Sequence, residues 1–212
     1  MPRRAIPLVA GHYYHVYNRG SNRQDIFFER ESYLFFLRCV RKYLLNESEA
    51  KTEMGTQTSE VLETSEVYAS IVAYCLMPNH YHLLVCPHDD SLSRRMQRFS
   101  ISYTKAINKR YERVGPLFQG QFQASLVDCN EHLLHLSRYL HLNPVVTGLV
   151  GKPEDWEFSS YRDYIGRRRG TLLTPDIVLS QFEGSDAYVE FVQGYTPGDK
   201  QVIAHLLYDD EG

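Results

Sequence analysis

The triplet His80-Tyr81-His82 is where residue type and spacing point most directly to chemistry. It opens an apolar run, HYHLLVC, that reads as a β-strand. Side chains alternate faces along a strand, so the two imidazoles share one face and Tyr81 points the other way with Leu83 and Val85. At ~3.3 Å rise per residue their Cα atoms stand about 6.5–7 Å apart, which lets two rings converge on one divalent cation. The plainer alternative is a pair of partly exposed strand-end histidines. A second constellation lies in the helix expected after Asp128. Leu133, Leu136 and Leu140 form its apolar stripe, and His132, Tyr139 and Asn143 fall beside that stripe within roughly 40° of one another. Tyr139 and Asn143 are four residues apart and so neighbours on adjacent turns. A phenol beside an amide oxygen, facing a sheet that carries two histidines, offers a nucleophile with a third metal ligand. The alternative is a buried-edge tyrosine with Asn143 as a helix cap at an exposed terminus set by Pro144. Among 16 tyrosines the main competitor is Tyr103. It sits mid-stripe in Leu92, Met96, Phe99, Tyr103 and Ile107, where a core role is expected.

These side chains need a scaffold, and the elements can be read in order. Residues 12–17, HYYHVY, suit a first strand. Residues 29–46 carry Tyr33, Leu37, Val40 and Leu44 at helical spacing. Residues 68–77 and 80–86 read as strands broken by Pro78-Asn79, residues 91–113 as a long helix, and residues 122–127 as a fourth strand. Asp128-x-x-Glu131 has the form of a capping box, and the helix it opens should stop at Asn143-Pro144. The order β-α-β-β-α-β predicts an α+β fold: a ferredoxin-like split βαβ sandwich, an antiparallel sheet with helices on one face. Residues 1–166 would form this domain. Residues 47–67, rich in Glu, Thr and Ser, would be a mobile acidic insertion, and residues 167–212 a C-terminal helical extension.

Composition narrows the classes. Of 212 residues 43% are hydrophobic and 23% charged, which excludes a wholly disordered or collagen-like chain. No apolar run nears the ~18–20 residues needed to span a bilayer, so no membrane partner is expected. The N-terminal MPRRAIPLVAG is broken by Pro7 and is not expected to be a signal peptide. Cys39, Cys75, Cys86 and Cys129 lie far apart, consistent with free thiols in a reducing cytoplasm. The net charge of -3 hides a local asymmetry. Arg94, Arg98, Lys105 and Lys109 fall within about 60° on their helix and meet few intervening acids, so they can line a phosphate backbone. Arg167-Arg168-Arg169 adds a weaker basic feature.

Taken together, MPNHYHLLV, YHVYNRGSNRQ, GPLFQGQF, RYLHLNPV and WEFSSYRDY resemble the REP-associated tyrosine transposases, single-tyrosine members of the HUH nuclease superfamily. The resemblance covers roughly residues 10–166. It implies that His80 and His82 are metal ligands, Asn143 the third ligand and Tyr139 the nucleophile. It also implies that Arg19 and Arg23, in and after the Asn18-Arg19-Gly20 loop, lie near DNA. The implied cofactor is Mg²⁺ or Mn²⁺. The implied partner is single-stranded DNA whose imperfect palindromes fold into REP-like hairpins, cut through a 5′-phosphotyrosine by a monomer or homodimer at the nucleoid. The family often has a basic residue where Gln121 stands and sometimes one where Gln123 stands, so two phosphate contacts that the resemblance would allow are missing. Two other readings compete. One is a non-catalytic single-stranded nucleic-acid-binding module, stacking bases on Tyr13, Tyr17 and Tyr81. The other is a metal-dependent phosphodiesterase that uses water in place of Tyr139.

Overall fold

The structure is a computed structural model that describes residues 7–45 and 67–207. The expected acidic insertion at 47–67 lies outside the described residues, apart from Val67. Four strands form one sheet: β1 (Tyr13–Arg19), β2 (Ala69–Met77), β3 (His80–Pro87) and β4 (Gln123–Val127). Their order is β2-β3-β1-β4 and every neighbouring pair is antiparallel. This is the order a split βαβ sandwich requires. The crossover helices are α1 (Arg30–Val40), which continues as a π-helical turn over Arg41–Leu45, and α2 (Leu92–Arg110). A capping box between Glu29 and Ser32 starts α1.

Strand alternation divides the sheet into two faces with separate apolar clusters. Tyr14, Val16, Tyr81, Leu83 and Val85 pack against Phe36 and Val40 of α1 and Met96, Phe99, Tyr103 and Ile107 of α2. The opposite face carries Cys75, Met77 and Leu84, and is covered by α3 (Asn130–Val146) through Leu133, Leu136, Tyr139 and Leu140. Beyond α3 come α4 (Tyr161–Tyr164), α5 (Asp176–Leu179), α6 (Ser185–Gln193) and α7 (Pro197–Val202), with a final 3-10 turn over Ala204–Leu206. Val178, Tyr188, Val192, Ile203 and Leu206 of this extension share the α3 cluster. The expected single helical face thus describes α1 and α2, while the histidine-bearing face is roofed by α3 and the extension.

Three local expectations are corrected. Asp128 caps nothing. Cys129 is the residue before α3, no side chain bonds the first turn, and Asp128 Oδ1 instead accepts from His132 Nδ1 at 2.6 Å. Pro144 does not end α3. It lies inside the helix, which runs on to Val146, so Asn143 is not at an exposed end but is only 4% exposed. Arg168 is no phosphate contact, because its guanidinium bonds Asp163, the Tyr74 hydroxyl and the carbonyls of Glu157 and Ser159.

His141, two residues from Tyr139, turns into the roof. It bonds the Tyr188 hydroxyl at 2.8 Å and Ser160 Oγ at 2.7 Å. Burial, with a smaller contribution from Arg168, pushes its pKa down to about 3 from the ordinary 6.5. The unfolded chain therefore takes up a proton below pH ~6.5 that the folded chain refuses. The stability this group contributes is complete above that pH and is lost progressively as pH falls toward 3. This group alone should cost about 2 kcal/mol in urea unfolding between pH 7 and pH 5, and a flat profile over that interval contradicts the assignment.

Candidate metal and nucleophile site

Pairing in the sheet brings the chemistry-bearing side chains to one end of one face. His80 stands between Arg19 of β1 and Met77 of β2, and His82 between Tyr17 and Cys75. The His80 and His82 rings have centroids 4.9 Å apart and lie at 83° to each other. The Tyr139 ring meets His82 edge-on, with centroids 6.1 Å apart at 79°. Residues 57 positions apart in sequence are thus joined because α3 lies across the histidine face.

His82 Nε2 and Asn143 Nδ2 are buried and make no hydrogen bond, and His80 Nε2 is buried in the same way. Such atoms carry a desolvation cost of about 1–3 kcal/mol each unless a ligand meets them. His80 has a defined tautomer. Asn79 Nδ2 donates to the Arg23 carbonyl at 3.2 Å, so the amide oxygen faces His80 Nδ1 at 2.6 Å. That nitrogen must donate, which leaves a lone pair on Nε2. Burial, then the neighbouring His80, His15 and Arg19, hold His82 well below the ordinary imidazole pKa, which keeps its ring neutral and able to ligate. Two imidazoles, with the Asn143 amide turned so that its oxygen takes the place of Nδ2, are a donor set that fits a divalent cation of the Mn²⁺ or Mg²⁺ kind.

The loop after β1 supports this end of the sheet. Gly20 N donates to the Asn79 carbonyl at 2.8 Å, and a Cβ on Gly20 would collide with the Gln24 backbone carbonyl. Asn22 and Arg23 take positive φ values of 52° and 59° beyond it. Gly20→Ala should therefore destabilise the protein by about 1–3 kcal/mol and lower the Tm in a thermal melt. An unchanged Tm would mean the loop can shift at no cost.

Other expected residues lie elsewhere. Arg23 is exposed in this loop, where its carbonyl rather than its guanidinium serves the site through Asn79. Arg94, Arg98, Lys105 and Lys109 are exposed on α2, in the layer on the far side of the sheet from the histidines. Tyr103 is fully buried and donates its hydroxyl to the Ile26 carbonyl at 2.8 Å, which removes it as a nucleophile. Tyr81 is buried among Phe36, Phe99 and Phe118, so it cannot stack on a base. His15 is the residue that sequence reading missed. It is 0% exposed and lies 2.9 Å from His82. Period-two alternation from Tyr17 already placed it on the histidine face, but its contact needed the β1–β3 register. A separate group of ligand-type side chains, Asp128, Cys129 and His132, sits at the start of α3. His132 is two turns, about 10 Å, from Tyr139 along the helix.

The site is thus a neighbouring pair of strand histidines on a ferredoxin-like sheet, with a helical tyrosine set against one of them. The family model described as "Transposase IS200 like" matches residues 27–143, more than half of the chain and inclusive of both histidines, Tyr139 and Asn143. The chain belongs to this IS200-like transposase family. It is 28% identical over 111 residues to a Haemophilus influenzae protein provisionally named a REP-associated tyrosine transposase; the match takes in 47% of this chain and 63% of that protein. The chain thus spans less than two thirds of that relative. A solved REP-associated tyrosine transposase, described as bound to a REP hairpin, superposes with a TM-score of 0.58 at 17% identity, over 82% of this chain and 94% of its own. That likeness supports the fold.

Proposed function

We propose that this chain is a metal-dependent strand transferase that cuts single-stranded, hairpin-bearing DNA through a 5′-phosphotyrosine on Tyr139. The observation that carries the reading is the Tyr139 ring set edge-on against His82 within the same chain.

His80, His82 and Asn143 would hold Mg²⁺ or Mn²⁺, the imidazole pair leaning to Mn²⁺. When bound there, such an ion polarises the scissile phosphate and offsets the charge that builds on it. Arg19, directly across from His80, would add a fixed positive charge for the same phosphate oxygens. Tyr139 Oη forms the new P–O bond as the bond from phosphorus to the 3′ oxygen breaks. The phenolic proton leaves and the departing 3′ oxygen ends as a hydroxyl. A phenol of pKa ~10 is also a good leaving group, so the 3′-OH of another strand can reverse the step and the bond energy is retained. His132 and His135, whose ring nitrogens lie 2.6 Å from Asp128 and 2.9 Å from Arg138, are engaged away from the phenol. The α2 bases would grip DNA remote from the scissile phosphate, so they should govern salt-dependent affinity more than the chemical step.

The partner is proposed to be REP-like hairpin DNA, by likeness to the solved relative, which is described as bound to one. The test is a denaturing gel of the protein with labelled hairpin DNA and Mn²⁺. A covalent protein–DNA band is expected. Cut DNA without the band would mean water is the nucleophile, and intact DNA would mean binding alone.

A further inference from the structure

The His82 ring is held on its inner side by a second buried imidazole. His15 Nε2 lies 2.9 Å from His82 Nδ1, and His15 Nδ1 lies 2.8 Å from the backbone carbonyl of Leu206. The two rings are within 24° of parallel with centroids 5.0 Å apart, the disposition of imidazoles joined edge to edge by an N–H···N bond. A carbonyl oxygen can only accept, so His15 Nδ1 carries the proton. The Nε2 of a neutral His15 must then accept, and His82 Nδ1 must donate. The opposite arrangement requires an imidazolium on His15, which is fully buried against the His82 ring. A buried charge in that company is the costly alternative.

We propose that His15 is a positioning residue that fixes His82 as its Nδ1–H tautomer and aims the Nε2 lone pair at the metal site, with the C-terminal extension supplying the anchor through the Leu206 carbonyl. The inference rests on the metal reading above. It mirrors the part Asn79 plays for His80, so that each of the two ligand rings has an inner hydrogen-bond partner. It also gives the extension a task in the site. Ile203 and Leu206 bury their side chains in the α3 cluster, and this holds the 3-10 turn so that its carbonyl meets β1.

Two measurements on the intact chain test it. Nitrogen-15 NMR of the metal-free wild-type protein should show His82 protonated at Nδ1, and protonation at Nε2 overturns the proposal. Calorimetric titration with Mn²⁺ alone should show His15→Phe binding about 10–100-fold more weakly than wild type. His15→Gln keeps one acceptor and one donor on a side chain of similar reach, and should recover most of that loss. A His15→Phe protein with wild-type Mn²⁺ affinity overturns the relay. The metal reading fails separately, if His82→Ala leaves Mn²⁺ affinity unchanged.

Discussion

Tyr139→Phe is expected to abolish the covalent protein–DNA adduct and to lower hairpin cleavage by about 10⁴-fold or more, the scale on which enzymes lose rate when a nucleophile is deleted. The substitution removes one oxygen and leaves the ring that packs with Leu136 and Leu140 under α3. Tyr139 is 7% exposed and the substitution deletes only the hydroxyl, so stability should move by about 1 kcal/mol. Hairpin binding and Mn²⁺ affinity should both survive, since neither the α2 bases nor the ligand set is touched. A Tyr139→Phe protein that still cuts, and leaves no adduct, would hand the reaction to water. One that still forms an adduct would place the nucleophile on another tyrosine. Tyr103 and Tyr81 are unsuited to that role because both rings are fully buried on the far face of the sheet.

The limits of sequence reading follow from what period and spacing can carry. Alternation put His80 and His82 on one face and Tyr81 on the other because a strand's period of two is set by backbone geometry, which context does not alter. Helical spacing separated Tyr103 from Tyr139 for the same reason: the mid-stripe tyrosine lies in the core, and the one beside the stripe lies against the histidines. Sequence reading failed where an outcome depends on a partner distant in the chain. Asn143-Pro144 has the local chemistry of a helix end, yet α3 runs past it and Asn143 is buried. Asp128 is the exception, a local competition: it has the chemistry of a cap but is taken by His132 one turn on. His15 became visible only once β1 was laid against β3 and the Leu206 carbonyl arrived from 191 residues away. The basic face of α2 was legible as a stripe, but which side of the sheet it faced was not.

Asn143→Leu should separate activity from stability in opposite directions. Asn143 is almost wholly buried, and its Nδ2 makes no hydrogen bond. Turning the amide over would put the oxygen, the better ligand atom, in that unpartnered place. Either way the chain carries a buried polar atom that its own fold does not satisfy. Leucine has nearly the same shape and no polar atom, so the variant should be as stable as wild type or up to about 1–3 kcal/mol more stable in urea unfolding. The same change removes the oxygen proposed above as the third ligand. Ion-mediated stabilisation of a phosphoryl transition state is worth several kcal/mol, so cleavage should fall by roughly 10²–10³-fold, with weaker Mn²⁺ binding. Asn143→Asp, which keeps the oxygen and adds charge, should retain Mn²⁺. A leucine variant that is destabilised yet fully active would show that Asn143 serves the packing of α3 alone. A gain in stability with loss of Mn²⁺-dependent cutting is what a ligand kept at the expense of the fold must give.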